Sequence, residues 1–123
     1  MKLNLIQKDK RGTIYSITDK DLPFEEITLF FTKGGYARGG CIHRKNDENF
    51  CVISGTIKYV RGENSKDAHY YFSTGKAEII PKNTPHYFLS VTDSVVMEWG
   101  ATIAEKQEKH SKTRKIVEEL NAH

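Results

Sequence analysis

Gly40-Cys41-Ile42-His43-Arg44-Lys45-Asn46-Asp47-Glu48-Asn49-Phe50-Cys51-Val52-Ile53-Ser54-Gly55 is the stretch on which the reading of this chain turns. A softer echo follows in Gly75-Lys76-Ala77-Glu78-Ile79-Ile80-Pro81-Lys82-Asn83-Thr84-Pro85-His86. Together they set a thiol, two imidazoles and a carboxylate near the ends of predicted strands, and these groups are ligands for a transition-metal ion. Cys41 and His43 are two apart, so on an extended strand both side chains project to the same side. Arg44 to Asp47 reads as a polar hairpin, and the strand from Glu48 to Ser54 closes at Gly55.

Outward from this stretch the chain reads as strand after strand. Upstream, Leu3 to Ile6 and Thr13 to Ile17 are predicted strands around a turn at Lys8 to Gly12, with Ile14, Tyr15 and Ile17 set among small polar residues. Asp19 to Pro23 is a loop, because Pro23 has no donor and biases Leu22 away from helix. In Glu25 to Thr32, Ile27, Leu29 and Phe31 share one strand face, which is expected to point into the core. Lys33-Gly34-Gly35 is a turn. Downstream come strands at Thr56 to Val60 and Ala68 to Ser73, with a turn-rich segment from Arg61 to Asp67 between them. A short strand at Glu78 to Ile80 precedes the stiff turn Pro81 to Pro85, and strands at Tyr87 to Val91 and Ser94 to Trp99 follow. So many short strands at close intervals predict an all-β barrel or sandwich. Helical spacing occurs only in the tail, where Ile116, Val117 and Leu120 share one side of a charged segment. A surface helix over about 109–121, docked by its last turn, is expected.

The totals set bounds. With 123 residues, one domain spanning 1–123 is expected. Hydrophobic residues make up 37% and charged residues 28%, which suffices for a core, and no apolar run is long enough for a membrane span. Nineteen basic residues against sixteen acidic give a net charge of +3. That is too mild to argue for nucleic acid and compatible with a small anionic ligand. Met1 to Asp9 shows neither a sustained apolar stretch nor a small-residue cleavage site, so a cytoplasmic location is expected, with Cys41 and Cys51 as free thiols.

The two motifs resemble those of the cupins. That family's first motif runs glycine, a histidine pair spaced by one residue, a glutamate, and a closing glycine; Gly40, His43, Glu48 and Gly55 match it. Gly75, Pro81 and His86 match the second motif. Cys41 stands where the first histidine of the pair would be, Asn83 replaces a glycine and Ser90 an asparagine. The resemblance spans residues 40 to 90 and implies a double-stranded β-helix, the cupin jelly-roll barrel, with the C-terminal helix added. The run Arg38-Gly39-Gly40-Cys41-Ile42-His43 is also similar to the arginine, two glycines and histidine pair of cupin ketoisomerases acting on nucleotide-linked deoxysugars. In those enzymes the histidines move protons beside a keto group without a metal. The related rhamnose-pathway epimerases carry their catalytic histidine at the position of Cys41.

His43, Glu48 and His86 are therefore the expected ligands of a divalent zinc, iron, manganese or nickel ion. Cys41 is either a fourth ligand or a small buried hydrophobe. Arg38 is a candidate for binding an anionic substrate group through paired donors, or a surface arginine beside a carboxylate. Tyr87 is a candidate proton donor alongside His43, and Trp99 a candidate substrate-binding residue. Cys51 is expected in the core, and the basic tail from Lys106 to Lys115 on a solvated face. Three functions stay open: an isomerase or epimerase of a carbohydrate or sugar nucleotide, an iron dioxygenase, or a barrel that only binds a small ligand. An exposed sheet edge makes a homodimer the expected assembly.

Overall fold

In a computed structural model the described residues are 1–23, 25–62 and 68–123; the greater part of the turn-rich segment read from Arg61 to Asp67 lies outside them. Among the described residues, ten strands and a C-terminal helix form the fold. They are β1 (Lys2–Asp9), β2 (Gly12–Thr18), β3 (Ile27–Thr32), β4 (Ala37–Cys41), β5 (Glu48–Ser54), β6 (Thr56–Arg61), β7 (Ala68–Ser73), β8 (Ala77–Ile80), β9 (His86–Ser90), β10 (Ser94–Trp99) and α1 (Ser111–Leu120). A six-stranded sheet in the order β1-β2-β3-β10-β5-β8 faces a four-stranded sheet in the order β4-β9-β6-β7. Every pairing is antiparallel. The expected all-β jelly roll with a C-terminal helix is the observed architecture.

The core between the sheets is made by Ile14, Phe30, Phe50, Val52, Ile57, Tyr59, Ile80, Phe88 and Val96. Along each strand these alternate with residues of the other face, as the pleat requires. The helix packs against the far side of the four-stranded sheet, where Val117 joins Ala37, Val60 and Tyr87, with Ile116 and Leu120 at the margin. Its end is pinned to β4 by a reciprocal pair: the Ala37 amide donates to Asn121 Oδ1 at 2.7 Å, and Asn121 Nδ2 donates to the Ala37 carbonyl at 3.0 Å. Gly40 allows this close seating, since its φ is +86° and a Cβ there would stand 2.9 Å from the Arg114 Cα. Gly55 closes the first motif for a similar reason, with φ +90° and a hypothetical Cβ 2.2 Å from the Asp93 carbonyl oxygen. Cys41 and Cys51 are both free thiols. No helix among the described residues is long and apolar enough to cross a membrane.

One strand is turned over relative to expectation. Thr28, Phe30 and Thr32 face the core, while Ile27 and Leu29 are half-buried on the outer face and Phe31 is 40% exposed there. The same inversion runs across the sheet. Leu5, Tyr15, Leu29 and Met97 stand in one cross-strand row, and Leu3, Ile17, Ile27 and Trp99 in the next. Inside, Ser16, Thr28, Thr32, Ser94 and Glu98 are buried. Alternation marks two faces of a strand but not which is inward. Here the inward face carries the buried polar groups, with Glu98 among the residues lining a cavity, and the apolar face is the outer one.

Candidate metal centre

The open end of the barrel holds a cavity of about 200 Å³. Arg38, Cys41, His43, Glu48 and His86 all line it. His43 follows the end of β4, Glu48 opens β5 and His86 opens β9, so three separate chain segments bring their side chains to one point. Cys41 is the last residue of β4, next to an irregularity in the pairing with β9, and the strand is already over at His43.

The histidines are oriented from behind. His43 Nδ1 lies 2.8 Å from the Asn46 carbonyl oxygen and His86 Nδ1 lies 2.9 Å from that of Thr84. A carbonyl only accepts, so Nδ1 carries the proton in both rings and Nε2 of the neutral ring presents a lone pair. Both Nε2 atoms point at the same carboxylate oxygen: Glu48 Oε2 is 3.1 Å from His43 and 3.6 Å from His86. One ligand atom from each of the three residues lies within 4.8 Å of the others. His43 Nε2 and both Glu48 oxygens are buried without a well-directed hydrogen bond. Lone pairs facing one another in a buried space need a cation or a proton between them. Two imidazoles and a carboxylate fit a divalent ion of the zinc, iron, manganese or nickel kind, with positions left open beside it. Cys41 lies outside this group of three, although it lines the same cavity; burial pushes its thiol up, against the pull of Arg114, Lys106 and Lys109.

A residue that the sequence reading set on a solvated face sits in the middle of the site. Lys106 belongs to a single 3-10 turn, Ala104–Gln107, after the last strand. Its Nζ is 2.5 Å from Glu48 Oε1 and 3.8 Å from Glu98 Oε2, and stands 5.7 Å from the centre of the Phe30 ring. Burial would raise the Glu48 carboxyl, but Lys106, His43 and His86 together hold it well below the usual range. Glu98 goes the other way: burial and the charge of Glu48 push it well above the usual range. Burial works against the charge of Lys106, and the two carboxylates more than offset it. No motif marks this lysine. The one local cue is Thr102-Ile103-Ala104-Glu105, the spacing of a capping box: the Thr102 amide donates to Glu105 Oε2 at 2.9 Å and the Glu105 amide to Thr102 Oγ1 at 3.3 Å.

The remaining expected residues divide. Arg38 is 2% exposed rather than at the surface; Nε donates to Thr32 Oγ1 at 3.1 Å and Nη2 to the Phe31 carbonyl, while Nη1 is buried with no partner. Burial and the nearby Arg11 bring its pKa down to about 10, so it stays charged at neutral pH. Tyr87 and Trp99 are not brought to the cavity. Tyr87 alternates with the cavity-lining His86 and Phe88 and so packs beneath α1, and Trp99 alternates with Glu98 onto the outer face.

No protein-family model matches the chain, and no curated protein does. Solved structures do. The capsular polysaccharide assembling protein CapF from Staphylococcus aureus superposes with a TM-score of 0.73 at 20% identity, over 89% of this chain and 32% of its own. A 3,4-ketoisomerase from Helicobacter canadensis superposes with a TM-score of 0.60 at 17% identity, over 96% of this chain and 98% of its own. Bacillus subtilis oxalate decarboxylase, a protein with Mn(II) centres, gives 0.66 at 16% identity, over 79% of this chain and 27% of its own. The chain thus spans about a third of the length of the first of these and nearly all of the second. At such identities the likeness speaks for the fold, and with two facing antiparallel sheets and a His-Glu-His group at the barrel mouth, the chain has the cupin fold.

Proposed function

We propose that this protein is a metal-binding cupin that isomerises or epimerises a carbohydrate or sugar-nucleotide substrate. The observation that carries the proposal is the convergence of His43, Glu48 and His86 on one point of the cavity. The full-length likeness to a 3,4-ketoisomerase supports the isomerase reading of the reaction. His43, Glu48 and His86 would hold the ion, whose chemistry when bound is to polarise a carbonyl as a Lewis acid. Arg38 offers its unpartnered Nη1 to an anionic group of the substrate, and the apolar wall of Ile14, Phe30 and Phe88 excludes water from the reacting carbons.

Lys106 favours a second reading. With an ammonium already beside Glu48, the pair of His43 and Glu48 can work without a metal. Glu48 raises the basicity of the ring despite the opposing effect of burial, so His43 takes a proton from the carbon next to a keto group and returns it to the former keto carbon, while the hydroxyl proton passes to the former keto oxygen. Protein purified without added metal and assayed with a nucleotide-linked keto-sugar separates the two. Stoichiometric metal, with turnover lost on chelation and restored on reloading, is the expected result. Full turnover in metal-free protein overturns the metal reading in favour of the second, and substrate-dependent oxygen uptake overturns both.

We also propose that the protein is a homodimer through the outer face of the six-stranded sheet. Leu3, Leu5 and Phe31 are 63%, 56% and 40% exposed on that face, in rows continued by Tyr15, Ile17, Leu29, Met97 and Trp99. A contiguous apolar face of this kind is what a second copy would cover, and the edge strand β1 lies beside it with one side unpaired. Sedimentation equilibrium should show a dimer. Phe31→Asp should shift it to monomer with the circular dichroism unchanged, and a wild-type monomer at high concentration overturns the proposal.

A further inference from the structure

The sharpest feature not used by the metal reading is the ammonium inside the metal group. Lys106 Nζ is buried, 2.5 Å from one oxygen of Glu48, while the two histidine Nε2 atoms address the other. We infer that Lys106 holds the cation position of the His43–Glu48–His86 group in the metal-free protein, and that a divalent ion binds only as the ammonium leaves Glu48 for Glu98. This rests on the metal reading above.

Three structural facts support it. Glu48 is a single carboxylate with two oxygens, one taken by the lysine and one shared by the histidines, so an ion bound through both oxygens would need the place that Nζ fills. A divalent ion and an ammonium on the same buried carboxylate repel strongly, with little water to screen them. A destination for the ammonium also exists, since Glu98 Oε2 is already 3.8 Å away in the same buried space and the Phe30 ring lies near.

The lysine is held in place by a strap, residues 102–110, that crosses the mouth. Glu105 binds Thr102 and accepts from Asn46 Nδ2 at 2.9 Å, and the carbonyl of that same Asn46 orients His43. Farther along, the Ile42 amide donates to the Glu108 carbonyl at 2.9 Å and the His110 amide to the Gly40 carbonyl at 2.9 Å. Asn46 therefore links the strap to the metal group, and the strap carries the lysine whose Nζ reaches Glu48.

The test is direct titration of metal-free protein with Zn²⁺ and with Mn²⁺ by calorimetry, comparing wild type with Lys106→Met. Lys106→Gln, which keeps a neutral donor for Glu48, serves should the first variant not fold. Removing the ammonium is expected to tighten binding of either ion at least about tenfold. Equal or weaker binding by the variant overturns the competition and leaves the metal reading standing. No binding by either wild type or variant overturns the metal reading itself, and the inference with it.

Discussion

His86→Ala is expected to leave the protein folded, free of metal and without turnover. The side chain makes one hydrogen bond to the main chain of its own segment, through Nδ1 to Thr84, and its other nitrogen serves the metal group. Cutting it back to alanine removes one of three ligands and leaves one imidazole and one carboxylate, too few to hold a divalent ion against water. Loss of a residue that merely orients a ligand typically weakens a metal site by about 10- to 100-fold, so loss of a ligand should exceed that. Elemental analysis of protein purified without added metal, beside the keto-sugar assay, reads both effects. Metal retained at the wild-type level would place the ion elsewhere, and metal lost with turnover intact would support proton transfer by His43 and Glu48 alone.

Glu48→Ala is expected to cost the metal-free protein about 3 kcal/mol of stability, the low end of what breaking a buried ion pair costs. The reason lies in what stays behind. Lys106 Nζ is buried, and its contact with Glu48 Oε1 is its closest to a carboxylate. Without Glu48 the ammonium has Glu98, now 3.8 Å away, as its remaining counter-charge, and this softens the loss without cancelling it. Urea denaturation gives the difference. The variant Glu48→Ala combined with Lys106→Met should recover most of it, because the uncompensated charge is removed along with its partner. If the double variant is no more stable than the single one, the cost arises from packing around Glu48 rather than from a stranded charge.

Much of this site was legible in the chain itself. His43, Glu48, Gly55, Gly75, Pro81 and His86 were legible through their resemblance to the two cupin motifs. Imidazole and carboxylate donors are the kinds of group a divalent ion takes, and tight turns need residues such as Gly55 with positive φ. Alternating residues and frequent turns likewise determined the strand-rich architecture. Val117 and Leu120 marked the helix face that docks, because a helix standing on a sheet needs a stripe at its own period.

What the tertiary structure alone decided has one physical source: a sequence pattern gives a period, while inward and outward depend on what is packed on each side. The row of Ile27, Leu29 and Phe31 reads as core by composition, yet it faces out, while Thr28, Phe30 and Thr32 of the same strand face in. Gly40 makes room for α1, a role that appears only once the helix is packed against β4. Tyr87 and Trp99 alternate with residues that do reach the site, and so point away from it. Lys106 is the clearest case. Among lysines and glutamates it reads as one more solvated charge, and only the return of residues 102–110 across the mouth carries it to Glu48, a residue far away in sequence. The sequence by itself marked the barrel and the His43, Glu48 and His86 group that could hold a metal; the cation beside them was decided by the folded chain, because a buried charge is placed by long-range contact.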